Sequence, residues 1–253
     1  NDESATANNG TLNGNAAFDA SVKKLGSHSL TLDGAGDYVN LPDHADYDVA
    51  GSYTWEAWVY RNAAGSDDVI LGRDQISSNR IFILYVTSAN KLSYLGRHGG
   101  AFNVNITDAG DFSNTQWVHV AINWDGTTAT LYKDGISVGT STPGSNLDAG
   151  TNPIQVGMQG DGSTNPMDGR IDEVRLSKTN RYTGNFNPDA GTPRGNGTWS
   201  SNVIDTAGAN ATWNRIGIVK TYTPASGDIG WSIRTSDTLF AADAGSPSYT
   251  ALG

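Results

Sequence analysis

Apolar and polar residues alternate in short runs along most of the chain, and Gly, Asp or Asn follows most runs. This two-residue period is typical of β-strands, because successive side chains of a strand point to opposite faces. Residues 53–60 carry aromatic side chains at both sets of alternating positions, which predicts a central strand covered on both faces. The turns Asp125-Gly126 and Asp134-Gly135 each separate two such runs and predict a meander of hairpins.

The pattern predicts an all-β protein. No segment shows the 3.6-residue period of a helix. Strands at this spacing, joined by short turns, favour a two-layer sandwich of the jelly-roll type. The predicted strands cover residues 28–32, 38–41, 53–60, 69–72, 81–87, 91–96, 102–106, 117–124, 129–133, 136–140, 153–157 and 169–177, with three more at 199–205, 213–222 and 229–235.

A cluster of Pro and Gly at residues 185–198 indicates a linker. The predicted organisation is therefore a β-sandwich over residues 1–185, a linker over 186–197 and a small or partial β domain over 198–253. About 55 residues is small for an independent sandwich. The last segment is expected to belong to a second domain or to pack on the first.

Composition and charge narrow the classes of partner. The chain has 253 residues with 31 Gly, no Cys and a formal net charge of -10. Nucleic acid is disfavoured as a partner because phosphate binding needs clustered Lys and Arg. Disulfides and Cys–Zn sites are excluded. No apolar run approaches the ~20 residues of a membrane span, so no membrane insertion is predicted. The start at Asn1 and the lack of Cys favour a processed extracellular, cell-surface or virion-surface protein.

Six stretches carry a family resemblance. They are residues 8–14, 29–39, 53–59, 117–121, 131–135 and 167–175. In this order they resemble the laminin-G-like family of the concanavalin-A-like lectin/glucanase superfamily. The resemblance implies a laminin-G-like jelly-roll sandwich over roughly residues 8–177, followed by a smaller C-terminal β segment.

Two features around this match bear on assembly. Residues 181–186 look like a tail seen on such domains in phage virion proteins. Family members usually have a strand upstream of residues 8–14, and only seven residues precede that stretch here. Either that strand is lost, or residues 198–253 or another chain fill its place, and the last case would make the protein an assembling subunit.

No catalytic residues are predicted. Glycoside hydrolysis needs two carboxylates about 5–9 Å apart, and the Glu-rich strand motif common in the related glucanases is absent. Glu56 and Glu173 lie on different predicted strands and are interpreted as one surface and one turn-supporting carboxylate. No Gly-x-Ser-x-Gly elbow is present, and His119 is interpreted as a packed strand residue.

Calcium is the predicted cofactor, because Asp and Asn oxygens are the ligands that this hard cation prefers. Related domains often hold a structural Ca²⁺ near their first and last strands. The resemblance therefore implies ligands from Asp2 and Asn8 together with Asp172 or Glu173, of which at most one points inward. Asp161 in an acidic Gly-rich turn is a second candidate.

Sugar binding would use aromatic platforms with polar side chains beside them. The predicted ligand-binding residues are Tyr94, Arg97, His98 and Asn103, with Tyr85 and Asn105 as further candidates. The tryptophans are assigned mainly to packing, and these are Trp55, Trp58, Trp117 and Trp124.

Two functions are favoured at the level of sequence, and a third, a glycosidase, would require an open cleft with paired carboxylates. The first is a non-catalytic extracellular or virion-surface module that binds a glycan or a cell-surface ligand. The alternative is a structural or decoration subunit of a phage particle or extracellular filament, whose partners are copies of itself or other structural proteins. An ordered lattice or a swapped strand would favour the second, and a monomer with a sugar-filled groove would favour the first.

Overall fold

A computed structural model describes residues 8–74, 80–160 and 164–190, together with the backbone of three short strands nearer the C-terminus. The chain divides into two compact units, Asn1–Asn187 and Pro188–Gly253. In the described residues the only helical elements are two single turns of 3₁₀-helix, Ala45–Tyr47 and Pro188–Ala190. The predicted all-β class is confirmed.

The first unit contains fourteen described strands. Each of the twelve strands predicted there is present, with ends that differ by at most two residues. The strands are β1 (Thr11–Asn13), β2 (Ala17–Asp19), β3 (Ser29–Asp33), β4 (Tyr38–Leu41), β5 (Tyr53–Arg61), β6 (Asp68–Arg73), β7 (Phe82–Val86), β8 (Leu92–His98), β9 (Ala101–Thr107), β10 (Trp117–Trp124), β11 (Ala129–Lys133), β12 (Ile136–Ser141), β13 (Ile154–Val156) and β14 (Asp168–Ser177).

The two strands that the sequence did not reveal are β1 and β2. Each has only three residues and is largely exposed, so neither carries a readable alternation of apolar and polar side chains. They form the outermost strands of the two sheets, which are the positions where short strands are expected.

The strands form two antiparallel sheets of seven strands each. Sheet A has the order β1-β4-β13-β6-β7-β8-β9, and sheet B has the order β12-β11-β10-β5-β14-β3-β2. The core between them is continuous and includes the fully buried Tyr53, Tyr94 and Trp124. Burying each large apolar side chain of this kind contributes about 1.5–3 kcal/mol. The architecture is the predicted jelly-roll sandwich.

A buried ion pair fixes the loop between β5 and β6. Arg61 ends β5, is fully buried and pairs with the equally buried Asp68. Its guanidinium also donates to the side chain of Asn90 at 2.8 Å and to the carbonyl oxygen of Ser66 at 2.7 Å. These bonds hold residues 62–67 in place at one end of the sandwich.

In the second unit the described backbone forms one antiparallel sheet of three strands. The strands are β15 (Val219–Tyr222), β16 (Ile229–Ile233) and β17 (Thr250–Leu252), in the order β15-β16-β17. β15 and β16 lie within the predicted strands 213–222 and 229–235, whereas the predicted strand 199–205 lies outside the described residues. The exact domain boundaries and the independent folding of residues 198–253 stay predictions.

Candidate functional site

The outward-facing side chains of sheet B fall into rows, because residues paired across antiparallel strands share a face. β10 and β14 lie on either side of β5. One row joins Trp117, Tyr60 and Arg170, in which Tyr60 is opposite both of the others. A parallel row joins Ala121, Glu56 and Arg175, about four residues further along β5. One of these rows is covered by another part of the chain, and the other is partly exposed.

The row around Glu56 is covered by residues 179–187, here named the covering segment. The rings of Tyr182 and Phe186 are stacked, with centroids 3.5 Å apart and planes 2° apart. Both rings make edge contacts with Tyr132 on β11, and Phe186 also meets the ring of His119 at 5.6 Å. These rings enclose Ala121 in a small apolar cluster separate from the main core.

Glu56 lies beneath this cover and is only 1% exposed. Its carboxylate accepts a hydrogen bond from the Tyr182 hydroxyl and forms ion pairs with Arg175 and Arg181. His119 Nε2 lies 3.5 Å from Glu56 Oε2. Glu56 is therefore neither a surface nor a turn-supporting carboxylate, which corrects the sequence interpretation for this residue, because the covering segment closes over the end of the sheet that carries it. His119 is 4% exposed and packs against Trp58, as predicted.

These partners control the proton affinity of Glu56. Burial alone raises the pKa of its carboxyl group, but the hydrogen bonds from His119 and Tyr182 and the charge of Arg175 outweigh burial and hold the pKa below its usual value. A general acid for glycoside hydrolysis needs a raised pKa and access to the substrate. Glu56 has neither property. Glu173 is exposed and sits at a bulge of β14 with a positive φ of 51°.

The row around Trp117 is open, and we name it the open end. Trp117 and Tyr60 are both partly exposed, and their rings meet edge to face with centroids 5.6 Å apart and planes 64° apart. The guanidinium of Arg170 lies 5.9 Å from the centre of the Tyr60 ring. Arg170 also donates from Nε and Nη2 to Asp19 Oδ2, at 3.3 and 3.2 Å. Two aromatic faces therefore adjoin an Arg–Asp pair.

A polar depression of about 450 Å³ adjoins the open end. Asp168 lies two residues before Arg170 on β14 and so faces the same side of the sheet. Asp168 Oδ1 accepts a hydrogen bond of 2.6 Å from the side chain of Asn62. The lining residues are Asp33, Gly34, Ser66, Asp67, Asn165, Pro166 and Asp168. The loop that Arg61 anchors thus supplies one wall of the depression.

Asp172 holds a loop in the structure. It is 7% exposed, its Oδ2 accepts the backbone N–H groups of Lys24 and Leu25 at 2.8 and 3.0 Å, and its Oδ1 accepts that of Glu173. This loop brings Lys24 Nζ to 3.8 Å from the centre of the Trp58 ring. Three N–H donors thus contact the Asp172 carboxylate, and its role as a calcium ligand stays a prediction.

The other predicted calcium ligands are Asn8, Asp2 and Asp161. The side-chain amide of Asn8 donates to Asp46 at 3.1 Å, and Asp2 and Asp161 lie outside the described residues. The described residues contain no group of three or more His, Asp or Glu side chains arranged to hold a metal ion. Calcium binding and its four predicted ligands therefore stay predictions.

Two of the predicted sugar-binding residues face the core. Tyr94 is fully buried, and its hydroxyl lies 3.2 Å from that of Tyr53. Burial raises the pKa of the Tyr94 hydroxyl well above its usual value. His98 is also fully buried, and its Nδ1 donates to the carbonyl oxygen of Ser145 at 2.8 Å. Neither ring can meet a ligand at the surface, so both assignments are corrected.

The other two predicted residues lie on the outer face of sheet A. Arg97 is partly exposed and pairs with Asp148 at 3.1 Å, while Asn103 is exposed on β9. The partly exposed Tyr85 aligns with Ser93 on β8, four residues from Arg97. Four residues of strand span roughly 13 Å. Tyr85 is therefore well separated from Arg97. The exposed ring of Phe102 on β9 lies opposite that Arg, but among the described residues no second ring is in contact with it.

The residues of the open end were missed by the analysis of sequence, which assigned Trp117 mainly to packing. That assignment is right for Trp55, Trp58 and Trp124, which are 3%, 5% and 0% exposed. The alternation of β10 places Trp117 on the same face as His119 and Asn123, opposite the apolar Val118, Val120 and Ile122. His119 and Asn123 are themselves buried, so the sequence held no clear signal that Trp117 is exposed.

Comparisons with known proteins agree with this architecture. The chain resembles domain 4 of AbnA, an extracellular arabinanase from Geobacillus stearothermophilus, in complex with arabinotriose (18% identity, TM-score 0.50, 71% of this chain and 84% of that chain). It also resembles the CBM40 of the Ruminococcus gnavus IT-sialidase bound to α2,3-sialyllactose (15% identity, TM-score 0.52, 60% and 90%). A third neighbour is the binding domain of Paraclostridial Mosquitocidal Protein 1 (14% identity, TM-score 0.54), of which the chain spans 46% while 71% of this chain is covered.

At these identities the neighbours establish the fold alone. No curated protein matches the chain in sequence. No helix among the described residues is long and apolar enough to cross a membrane. Residues 33–182, more than half of the chain, match the Laminin_G_3 profile. The chain belongs to the concanavalin A-like lectin/glucanase superfamily.

Proposed function

We propose that this chain is a non-catalytic carbohydrate-binding module of an extracellular protein, and that it holds its glycan at the open end of sheet B. The observation that carries the proposal is the partly exposed Trp117–Tyr60 pair beside Arg170 and Asp19. The apolar C–H face of a sugar ring packs on aromatic rings, while its hydroxyl groups need paired donors and acceptors nearby. The open end offers both within one row of the sheet.

The neighbours are consistent with this role. The R. gnavus CBM40 is bound to α2,3-sialyllactose, and domain 4 of AbnA is in complex with arabinotriose. Both are parts of larger proteins, and this chain has a comparable sandwich. A module of the same kind would act outside the cell, where such glycans are found.

Glu56, the one buried Glu among the described residues of sheet B, is unsuited to act as a general acid. This carboxylate is enclosed by the covering segment and kept ionised by its partners, so it cannot donate a proton to a glycosidic oxygen. We expect no release of reducing sugar from any oligosaccharide that the protein binds. Measurable hydrolysis that survives Glu56→Gln would place a catalytic pair elsewhere and overturn this part of the proposal.

The test of the binding site is a comparison of two aromatic substitutions on opposite sheets. Trp117→Ala removes a ring of the open end, and Tyr85→Ala removes a partly exposed ring from the outer face of sheet A. A glycan array identifies a bound oligosaccharide, and titration calorimetry then measures both variants against it. We expect Trp117→Ala to weaken binding by about 10- to 100-fold, as is common for central aromatic contacts. Loss with Tyr85→Ala alone would move the site to sheet A.

Exposed apolar side chains near the N-terminus favour a second function, self-association. Leu12, Phe18 and Leu25 are 39%, 61% and 49% exposed, and the first two lie on the outermost strands β1 and β2. An unpaired strand edge with exposed apolar residues is suited to pairing with another copy. We expect Phe18→Lys to abolish any assemblies seen by electron microscopy. Assemblies that persist in Phe18→Lys would contradict this interface.

A further inference from the structure

The structure also points to the chemical class of the ligand. Resting on the proposed glycan site, we infer that the open end selects a neutral sugar ring over a sialylated or uronic one. The inference follows from the charges that border the Trp117–Tyr60 pair. It separates this chain from the neighbour of the same fold that is bound to sialyllactose.

The positive groups near the open end are already engaged. Arg170 donates two hydrogen bonds to the same oxygen, Asp19 Oδ2, from Nε at 3.3 Å and from Nη2 at 3.2 Å. The ammonium group of Lys24 lies over the face of Trp58, one row away. Lys23 donates to the carbonyl oxygen of Ala20 at 2.7 Å. A carboxylate on the ligand would have to compete with Asp19 for Arg170.

The Asp19 carboxylate is a persistent competitor. Hydrogen bonds from the Ser21 hydroxyl and backbone N–H, more than the contact with Arg170, lower the pKa of Asp19 to about 2. Asp19 therefore stays ionised throughout the pH range in which glycan-binding proteins are studied. The Arg–Asp pair presents both donors and an acceptor, a combination that suits adjacent sugar hydroxyl groups.

The depression next to the open end adds negative charge. Three carboxylates line it, from Asp33, Asp67 and Asp168. Asp168 follows the same face of β14 as Arg170, so a sugar on Tyr60 with a substituent toward the depression meets this group. Carboxylates accept hydrogen bonds from sugar hydroxyl groups but repel a carboxylate of the ligand. At physiological salt, the repulsion between these carboxylates and a ligand carboxylate is only weakly screened when the groups lie within ~8 Å of each other.

The angle between the aromatic rings sets the shape of the ligand. Planes at 64° form a corner rather than a flat platform. A flat, ribbon-like polysaccharide needs coplanar rings along its length, whereas a corner holds one ring against a face and an edge. The expected ligand is therefore a single neutral sugar residue of a soluble oligosaccharide, with Arg170 and Asp19 at its hydroxyl groups.

The experiment pairs neutral glycans with acidic counterparts. The full chain is applied to an array that includes lactose beside sialyllactose and arabinotriose beside a trimer of galacturonic acid. The strongest binders of each class are then titrated at low and physiological salt. We expect the neutral members to bind at least about tenfold more tightly, with little dependence on salt.

A charge-neutralising variant tests whether the local carboxylates cause the selectivity. Asp168→Asn removes one negative charge beside the open end while keeping a side chain that can contact Asn62. Asp125→Asn is the matched control, since Asp125 is an exposed turn residue at the opposite end of β10 from Trp117. We expect Asp168→Asn to narrow the difference between neutral and acidic glycans several-fold, and Asp125→Asn to leave it unchanged.

The outcomes distinguish the inference from the proposal on which it rests. Tighter binding of acidic glycans that Trp117→Ala abolishes would overturn the neutral class and leave the glycan site standing. Equal effects of Asp168→Asn and Asp125→Asn would also overturn the inference, because selectivity would then not depend on the depression. Binding of neither class would overturn the proposed function itself.

Discussion

The two ends of the outer face of sheet B are built from the same three strands, yet one is sealed and the other is accessible. At the sealed end, Tyr182 and Phe186 of the covering segment enclose Glu56. At the open end, Trp117 and Tyr60 remain partly exposed beside Arg170. The sheet itself therefore does not decide which of its residues can bind a ligand.

The path of the chain after β14 determines which end of the sheet is buried and which stays exposed. Residues 179–187 return over one end of the sheet and turn its polar groups into a buried network. Where the segment does not reach, aromatic and charged side chains stay available to a ligand. Side chains at the sealed end should matter for stability, whereas those at the open end should matter for binding.

The largest expected effect on stability comes from Glu56→Ala at the sealed end. The substitution leaves Arg175, Arg181 and the Tyr182 hydroxyl without their common acceptor. Removing one partner of a buried ion pair typically costs about 3–5 kcal/mol. Urea unfolding should show a loss of this size. A decrease in the free energy of unfolding below ~1 kcal/mol would contradict this prediction, because it would mean that water can replace Glu56 as the partner of these groups.

Acid should weaken the same end. The pKa of Glu56 is lower in the folded chain than in the unfolded chain, so the unfolded state binds more protons at acidic pH. The contribution of Glu56 is complete above its ordinary pKa of 4.5 and is lost as the pH falls through the lower pKa of the folded state. Lowering the pH from 6 to 3 should therefore reduce the melting temperature of the wild type more than that of Glu56→Gln, as measured by thermal unfolding. Equal falls in melting temperature for the two proteins would contradict the assignment of this acid sensitivity to Glu56.

Phe186→Ala should have an intermediate effect. The substitution removes the ring stacked on Tyr182 and its contacts with Tyr132 and His119. Because Phe186 is only partly buried, we expect a loss of about 2 kcal/mol, below the range for a core Phe. Tyr182→Phe is the milder companion and should cost about 1.5 kcal/mol, for one hydrogen bond to a charged group. Proteolysis after the substitution should begin within residues 179–187.

The smallest effect on stability should come from Trp117→Ala at the open end. The ring is partly exposed and packs edge to face on Tyr60, so its removal should cost about 1 kcal/mol. The same variant should lose most of its affinity for glycan. A stability loss as large as that of Glu56→Ala would show that Trp117 is a packing residue, as the sequence first suggested.

The strands of the two sheets could be predicted from the sequence, whereas the residues of the candidate binding site could not. Alternation located every strand of the sandwich longer than three residues, because burial on one or both faces imposes a two-residue pattern. The same alternation separates Tyr94 and His98 from Arg97 on β8, since even and odd positions face opposite sides. Selecting all three for one surface conflicted with that rule.

The remaining features depend on contacts between distant parts of the chain. Nothing near Glu56 in sequence shows that Tyr182 will cover it, 126 residues later. The register that places Arg170 opposite Tyr60 is likewise a property of the pairing between β5 and β14. The bulge in this pairing between Asp172 and Arg175 shifts the alternation further along β14. Such long-range pairings leave no local pattern in the sequence.

The most direct test of the account measures binding and stability together for Trp117→Ala and Phe186→Ala. Titration calorimetry with a glycan found on the array gives the affinity, and urea unfolding gives the free energy of unfolding. The account predicts that Trp117→Ala loses at least tenfold in affinity with nearly unchanged stability, while Phe186→Ala loses stability and keeps its affinity at temperatures where it is folded. The reverse pattern would contradict the assignment of binding to the open end.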